Sequence, residues 1–182
     1  ELISAVESGN IKKVQELIEA GADLNITDET GSTALYCASD DGHTDIVKLL
    51  IGAGADVNIK DEYGTTALII ASNEGHTEIV KLLIEARADV NITDNIGLTA
   101  IYHASEYEYT DIVKLLIEAG ADVNIGNVNK WHRGNILSQA SVDGYTEIVK
   151  LLIDAGIDVN IKRKDSGCTA LIIASNLGHT EV

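Results

Sequence analysis

Three histidines of this chain recur at one position of a repeating phrase, which raises the question of a metal site. His43, His76 and His179 each follow a glycine and precede a threonine. If the phrase folds as stacked helices, their rings lie about 10 Å apart per layer, whereas a zinc ion needs several ligands at roughly 2 Å. We therefore expect these histidines not to bind a metal, and we expect no cofactor.

Other residues that could do chemistry are too far apart or in the wrong order. Gly52 and Gly54 form part of a GxG motif, but Val57 stands where the last glycine of a dinucleotide fingerprint belongs. Cys37 and Cys168 fall in different units, beyond the roughly 7 Å that a disulfide allows, so both are predicted to be free thiols in a reducing compartment. No nucleophile, base and orienting group can be assembled, and we expect no catalysis.

A 33-residue repeat supplies the elements that carry these residues. The phrase KDEYGTTALIIASNEGHTEIVKLLIEARADVNI fills residues 60–92. Its other full and partial copies fill residues 1–26, 27–59, 93–125, 126–161 and 162–182. A period of roughly 20 to 50 residues indicates a repeat architecture, so residues 1–182 are predicted to form a single repeat domain.

Each unit is predicted to contain two short helices and a hairpin-like turn. The first helix begins after a threonine whose hydroxyl can cap it, and both helices end at a glycine, which enters the left-handed region freely. The capping threonines are Thr33, Thr66, Thr99 and Thr169, and the glycines are Gly42, Gly75, Gly144 and Gly178 for the first helix and Gly21, Gly54, Gly120 and Gly156 for the second. Because helices shorter than about 12 to 15 residues are marginal alone, the units must stack.

The repeated pattern DxxGxTALxxAxxxGHTEIVKLLIxAGADVN resembles the ankyrin repeat. The resemblance covers nearly the whole chain and implies an all-α repeat solenoid, an ankyrin-repeat stack of helix-turn-helix units with β-hairpin-like turns. It also implies that the histidine of GHT is structural. The family's usual Thr-Pro-Leu-His reads Thr-Ala-Leu here, and the chain has no proline. That loses a preorganised first helical position, so we expect each unit to be less stable than a consensus repeat.

The charges are distributed unevenly along the chain. Residues 1–125 hold 23 acids and 7 bases, whereas residues 126–182 hold 6 of each. A strongly acidic body repels phosphate, which argues against nucleic acid or an anionic membrane as the main partner; alternatively, the acids are only a solvated coat. No apolar run approaches the roughly 18 residues of a membrane span, and the first residues do not resemble a secretory signal. We expect an intracellular, cytoplasmic monomer.

In ankyrin-like stacks the partner usually meets the concave face, which the turn tips and the first helices form. The resemblance places the following residues there: Glu29, Thr30, Ser32, Asp40 and Asp41, then Glu62, Tyr63, Thr65, Asn73 and Glu74, then Asn95, Ile96, Leu98, Glu106 and Tyr107. Four apolar or aromatic members, which often mark a binding site when exposed, are predicted to be exposed: Tyr63, Ile96, Leu98 and Tyr107. Alternatively, they cover neighbouring turns. The predicted partner is a protein with a basic segment.

The stretch GNVNKWHRG, residues 126–134, breaks the repeat. Nine residues separate Ile125 from Asn135, where six separate Ile59 from Thr66, so this turn carries a three-residue insertion. An insertion in a solenoid maps to a loop on one face, often the binding face. We predict a binding finger at Trp131, His132 and Arg133, next to the basic turn of Lys162, Arg163 and Lys164. The alternative is a tolerated insertion in which the tryptophan folds onto the stack.

Two residues stand where the pattern has a helix-ending glycine. Arg87 interrupts the phrase EAGAD, and Glu108 replaces the glycine that ends the first helix in the fourth unit. Either these residues adopt the left-handed conformation, at a cost of roughly 1 kcal/mol or more, or the turns shift.

An asparagine closes each ADVN-like phrase, at Asn25, Asn58, Asn91, Asn124 and Asn160. These side chains are predicted to brace the turn through hydrogen bonds to the backbone. The resemblance implies that they can also be hydroxylated by an asparaginyl hydroxylase.

Together these features predict a protein-binding module that acts through its concave face and turn fingers, without catalysis. One alternative is the substrate-recruiting arm of a larger enzyme whose catalytic domain lies outside this chain. Another is a structural spacer with no selective partner.

Overall fold

A computed structural model describes residues 1–126 and 135–182. Within those ranges the chain forms eleven helices and no β-sheet. In chain order the helices are α1 Leu2–Glu7, α2 Ile11–Glu19, α3 Ala34–Asp40, α4 Thr44–Gly52, α5 Ala67–Asn73, α6 Thr77–Glu85, α7 Ala100–Glu106, α8 Thr110–Glu118, α9 Ile136–Asp143, α10 Thr146–Asp154 and α11 Ala170–Leu177. The predicted all-α architecture is confirmed. The boundaries of units one to six remain predictions and serve below as labels.

The helices form two layers. The inner helices α1, α3, α5, α7, α9 and α11 contact one another in that order, and the outer helices α2, α4, α6, α8 and α10 do the same. The two helices of each pair also contact each other. None of these helices is long and apolar enough to cross a membrane.

The same positions of successive units build the core between the layers. Each outer helix from α4 to α10 contributes a fully buried isoleucine and, one turn later, a fully buried leucine. These side chains are Ile46 and Leu50, Ile79 and Leu83, Ile112 and Leu116, and Ile148 and Leu152. Burial of one such side chain contributes roughly 1.5–3 kcal/mol, and the stack is stabilised by contacts that no single unit provides.

The predicted threonine caps form at two of the four positions. Thr33 and Thr66 each accept with Oγ1 a hydrogen bond from the amide three residues later, at 3.1 and 3.3 Å. Thr99 and Thr169 also stand at helix starts, but their side chains make no capping bond. At Thr99 the Tyr102 amide donates to the threonine carbonyl instead, at 3.0 Å, and the buried hydroxyl has no partner.

The predicted left-handed helix ends are confirmed. All eight glycines assigned to helix ends have positive φ, and so do the two residues that replace such glycines, Arg87 at +65° and Glu108 at +61°. In this region the Cβ atom crowds the following carbonyl, at a cost of roughly 1–2 kcal/mol per residue. The turns therefore keep their geometry and carry local strain at both sites.

Four of the five asparagines of the ADVN-like phrases connect their unit to the next. Asn58 Oδ1 accepts a hydrogen bond of 2.9 Å from the backbone N–H of Asp89. The equivalent bonds run from Asp56 to Asn25 at 2.9 Å, from Asp122 to Asn91 at 2.8 Å and from Asp158 to Asn124 at 3.1 Å. These side chains do bond to backbone, but to the backbone of the following unit and not to that of their own turn.

The GHT histidines fill the space between units. His76 Nε2 lies 3.0 Å from the Asp40 carbonyl oxygen, and His179 Nε2 lies 3.0 Å from that of Val142. A Cβ atom at Gly42 would lie 2.8 Å from the His76 ring, so this glycine permits the close approach as well as the positive φ. These contacts are structural. Within the described ranges, no three His, Cys, Asp or Glu side chains form a group that could hold a metal ion.

Candidate recognition surface

In each turn tip of units two to four, an aspartate carboxylate accepts hydrogen bonds from two backbone amides of the same turn. Asp61 Oδ1 accepts hydrogen bonds from the amides of Tyr63, at 2.9 Å, and Thr65, at 2.7 Å. Asp28 and Asp94 bind the corresponding amides of their own tips. The residues that follow the aspartate therefore project from a fixed loop, and Tyr63 is 65% exposed.

Neighbouring tips are hydrogen-bonded to each other. The Glu62 amide donates to the Thr30 carbonyl at 2.9 Å, and the Asn95 amide donates to the Tyr63 carbonyl at 2.8 Å. The Asn95 side chain adds a bond of 2.8 Å to the Glu62 carbonyl. The tips of units two, three and four thus form one connected row, which presents Glu29, Glu62, Tyr63 and Ile96 in fixed relation.

A second row lies at the ends of the inner helices. Asp40, Asp41 and Glu74 are exposed there, and Glu106 is half-buried. Partial burial raises the pKa of Asp40, and the carboxylates of Glu74 and Asp41 act in the same direction, while His76 opposes them. Carboxylates of units two and three are therefore close enough to repel each other, which makes this row a region of concentrated negative charge.

An aromatic side chain continues this row in unit four. Tyr107 takes the place of Glu74 and is 52% exposed. Its ring stacks on that of Tyr109, with centroids 6.0 Å apart and an interplanar angle of 30°. A Cβ atom at Gly75 would lie 2.6 Å from Tyr109, so the Tyr109 ring fits closely against the preceding unit. Tyr107 therefore packs on a closely held ring and keeps about half of its surface exposed to solvent.

The chain matches the family model described as Ankyrin repeats (3 copies), over residues 2–94, 53–127 and 125–182. The chain belongs to the ankyrin-repeat family. No curated protein matches it in a sequence search. Ankyrin repeats are in general protein-interaction modules, and ankyrin-repeat domains are typically non-catalytic.

Two residues predicted for the concave face of the ankyrin stack, Leu98 and Ser32, are buried. Leu98 is only 1% exposed. Its amide donates to Asp94 Oδ1 at 2.8 Å, and its carbonyl accepts from the Asp94 amide at 2.9 Å. These two bonds direct the side chain into the stack. Ser32, at the same position of unit two, is also buried, so the position belongs to the interior and Leu98 is not a contact residue.

The structure describes only one of the two predicted basic turns. Trp131, His132 and Arg133 of the inserted turn lie outside the described residues, so the binding finger stays a prediction. In the next turn, Arg163 makes two bonds to Asp165, one from Nε at 3.1 Å and one from Nη2 at 3.0 Å. The bonds from this guanidinium are the main cause that lowers the pKa of Asp165 to about 2. The Arg163 charge is thus paired within its own turn.

An unpredicted link connects a turn of the ankyrin stack to an inner helix. His103 Nε2 lies 3.1 Å from Asp94 Oδ2, while Asp94 Oδ1 binds the amides of Ile96 and Leu98. Burial by itself raises the pKa of Asp94, but the bonds from His103 and the two amides outweigh it, and the pKa is lowered. His103 therefore helps to hold the tip that carries Ile96, which is 41% exposed.

Both cysteines are free thiols, as predicted. Burial raises the pKa of Cys37 to about 12, and the nearby carboxylate of Asp28 acts in the same direction. Because the thiolate is the nucleophile, this shift lowers the fraction of reactive thiolate at neutral pH.

Proposed function

We propose that this ankyrin-repeat array binds a partner protein and carries out no chemistry itself. The proposed contact area is called the recognition surface. It comprises Glu29, Asp40, Asp41, Glu62, Tyr63, Glu74, Ile96, Glu106 and Tyr107. The observation that supports it is the conjunction of an open carboxylate row with three exposed apolar or aromatic side chains, two of which, Tyr63 and Ile96, lie on hydrogen-bonded tips. Apolar patches with polar rims mark protein interaction sites.

The partner should bring a basic segment. Among the ion pairs of the described residues, only Asp41 of the recognition surface takes part, with His43 at 4.0 Å; the other pairs join Lys13, His103, Lys114 and Arg163 to acids outside it. Among the described residues, no cationic side chain forms an ion pair with the remaining carboxylates of this surface. Lysine or arginine side chains of a partner would relieve the repulsion between Asp40 and Glu74 and raise the association rate.

The repeat also suggests a spacing for those basic residues. Equivalent carboxylates of adjacent units are separated by one layer, about 10 Å. A peptide in the extended polyproline II conformation advances about 3.1 Å per residue with three residues per turn, so every third side chain would face the stack and meet the next unit. We therefore propose an extended partner segment with a basic residue at every third position, which runs along units two to four, followed by an apolar or acidic part at the inserted turn with Trp131, His132 and Arg133.

The same charge argues against other classes of partner. An acidic surface repels the phosphates of nucleic acid and of anionic membranes. We propose that the array acts as a monomer in the cytoplasm, where free thiols such as Cys37 and Cys168 persist. As the recruiting arm of a larger enzyme, it would use this same surface for the substrate.

The experiment is a comparative pull-down from lysate of the source cell, analysed by mass spectrometry. The baits are the native chain, the triple variant Asp40→Asn, Asp41→Asn, Glu74→Gln, and Tyr107→Ala. We expect a selective partner with the native chain that is depleted with both variants at low salt. Recovery of no selective protein would support the spacer hypothesis. Equal recovery with all three baits would exclude the recognition surface as the binding site.

The ADVN asparagines carry a separate proposal. Asn25, Asn58, Asn91, Asn124 and Asn160 are proposed sites of asparaginyl hydroxylation. Peptide mass analysis of protein from its native source should show a gain of about 16 Da on these peptides. If every such peptide has its unmodified mass, hydroxylation does not occur in that source.

A further inference from the structure

Tyr107 is an aromatic residue in a row of acids at the ends of the inner helices. The same position is Asp41 in unit two, Glu74 in unit three and Asp143 in unit five. All three acids are exposed, and Tyr107 is 52% exposed. Equivalent residues of neighbouring units lie one layer, about 10 Å, apart. An exposed aromatic ring is therefore flanked by a carboxylate in the unit before it and in the unit after it.

A second ring and an unusual backbone hold Tyr107 in place. Its ring stacks on that of Tyr109 with an interplanar angle of 30°, and Tyr109 lies close against Gly75 of the preceding unit. Between the two tyrosines, Glu108 has the left-handed backbone that glycine adopts at this position in units two, three and five. The stacking covers part of the Tyr107 ring, and about half of the residue remains exposed.

The carboxylates that flank Tyr107 bind uncharged donors. Glu74 and Asp143 each accept a hydrogen bond from a side-chain amide, at 2.8 and 2.7 Å. Among the described residues, no cationic side chain forms an ion pair with Glu74, Glu106 or Asp143. A cation supplied by a partner would therefore meet carboxylates that the described part of the chain leaves without an ion pair.

Two of these carboxylates act on one ring beside Tyr107. Burial raises the pKa of Tyr102 to about 12, and the carboxylates of Glu106 and Asp143 act in the same direction. The Arg163 guanidinium opposes them, but its charge is already paired within its own turn. Glu106 directly precedes Tyr107, so negative charge from units four and five is concentrated next to the exposed ring.

An aromatic ring beside carboxylates distinguishes between the two basic side chains. The planar guanidinium of arginine stacks on a ring and still presents N–H donors at its edge to carboxylates. The ammonium of lysine is a compact, strongly hydrated charge, for which carboxylates alone are sufficient. Units two and three have Asp41 and Glu74 in place of the ring, so a lysine and an arginine are equivalent there.

We propose that the basic residue of the partner that meets unit four is an arginine, whose guanidinium stacks on Tyr107 and donates to the neighbouring carboxylates. The basic residues that meet units two and three are either lysine or arginine. Because unit four is at one end of the run of units two to four, the arginine is at one end of the basic segment. This inference rests on the proposed function, since it specifies one side chain within that segment.

The probes are four fluorescein-labelled peptides, each built from three Ser-Pro-Lys repeats, because proline favours the polyproline II conformation. One peptide keeps all three lysines, and each of the others has a different lysine replaced by arginine, so the four carry equal charge. Anisotropy titration with the 182-residue chain at low salt measures the affinities. We expect all four to bind, and one peptide with a terminal arginine to bind about three- to tenfold more tightly than the others.

Substitutions of the ring test where the arginine binds. Tyr107→Leu should remove the preference for arginine and leave the affinity for the all-lysine peptide unchanged, which also shows that the variant is folded. Tyr107→Phe should keep the preference, because the ring face remains. The matched control is Tyr63→Leu: Tyr63 is 65% exposed but lies on a turn tip, so its substitution should keep the preference as well.

Proton NMR measures the stacking itself. In the complex with the preferred peptide, the Cδ protons of the arginine should shift upfield, because they lie in the ring current of Tyr107. The shift should be absent with Tyr107→Leu and present with Tyr63→Leu.

Three results would overturn the inference. Equal affinities of the four peptides, or an equal gain from arginine at every position, would leave the proposed basic segment intact and exclude the arginine site. A preference that persists in Tyr107→Leu, or disappears in Tyr63→Leu, would mean that Tyr107 does not hold the guanidinium. Absence of binding by every peptide at low salt would contradict the proposed basic segment itself, and with it this inference.

Discussion

Asn58 Oδ1 accepts a hydrogen bond from the backbone N–H of Asp89, 31 residues later and 2.9 Å away. The bond joins the end of one unit to the end of the next, and it recurs along the stack at Asn25, Asn91 and Asn124. Stability in a repeat array is approximately the sum of the stabilities of its units and of the interfaces between neighbours. The asparagine bonds contribute to the stability of the interfaces between neighbouring units, so they couple the units.

Asn58→Ala should therefore lower the free energy of unfolding by about 1 kcal/mol or somewhat more, because the Asp89 amide loses its acceptor. Urea denaturation measures this change. The matched control is Asn160→Ala in the same 182-residue polypeptide, because none of its described residues donates a hydrogen bond to the Asn160 side chain. Equal losses in the two variants would show that the asparagine acts within its own turn.

Arg87 has the left-handed backbone that glycine adopts at the equivalent Gly54. Arg87→Gly should raise the free energy of unfolding by about 1 kcal/mol, since the Cβ strain is removed. Gly54→Ala is the reverse control: no atom lies within 4 Å of a Cβ built there, so only the backbone conformation penalises it. An unchanged or lower melting midpoint for Arg87→Gly would mean that strain at this helix end is negligible.

The folded protein lowers the pKa of Asp94, and this sets the sign of a pH dependence. The carboxylate contributes stability above its unfolded pKa of about 3.9, and that contribution is lost as the pH falls through the lower folded pKa. Asp94→Asn should therefore destabilise the chain by about 1 kcal/mol at neutral pH and by less in acid. Urea melts across this range measure the effect.

The control for Asp94 repeats the substitution in a His103→Gln background. Because His103 binds the carboxylate at 3.1 Å, a double-mutant cycle should show coupling between the two side chains at neutral pH. Additive losses would mean that the two backbone amides alone hold Asp94.

Trp131 of the inserted turn is the residue predicted to matter most for partner affinity. Exposed tryptophans are frequent hot spots, whose truncation costs about 2 kcal/mol or more, so Trp131→Ala should weaken partner binding at least about tenfold. Calorimetric titration measures this once thermal melts show that the variant is folded. Affinity equal to that of the native chain would make the turn a tolerated insertion.

Local sequence signals predicted much of the fold. Thr33 and Gly42 mark the limits of a helix because capping and positive φ depend on single residues, and the 33-residue spacing transfers those limits to other units. The same register placed Arg87 and Glu108 at helix ends and left open a left-handed backbone or a shifted turn; both residues adopt the left-handed backbone. These features depend on residues close together in the chain.

The features that sequence reasoning missed depend on how units pack. The resemblance placed Leu98 on the concave face, where we predicted it to be exposed, but two bonds to Asp94 direct its side chain inward. The Asp94–His103 pair has no counterpart where Ile70 replaces the histidine, so the repeat pattern did not reveal it. The bonds of the asparagines to the next unit could not be predicted without the distance between neighbouring turns.

The most direct test of the central claim compares two pairs of substitutions that change the net charge equally. Asp40→Asn with Asp41→Asn alters the recognition surface, and Asp45→Asn with Glu78→Gln alters exposed acids of the outer helices. With the partner recovered by pull-down, stopped-flow mixing at low salt should show slower association for the first pair and near-native association for the second. The difference should shrink at high salt, where surface charges are screened. Equal rates for the two pairs would contradict binding at the recognition surface.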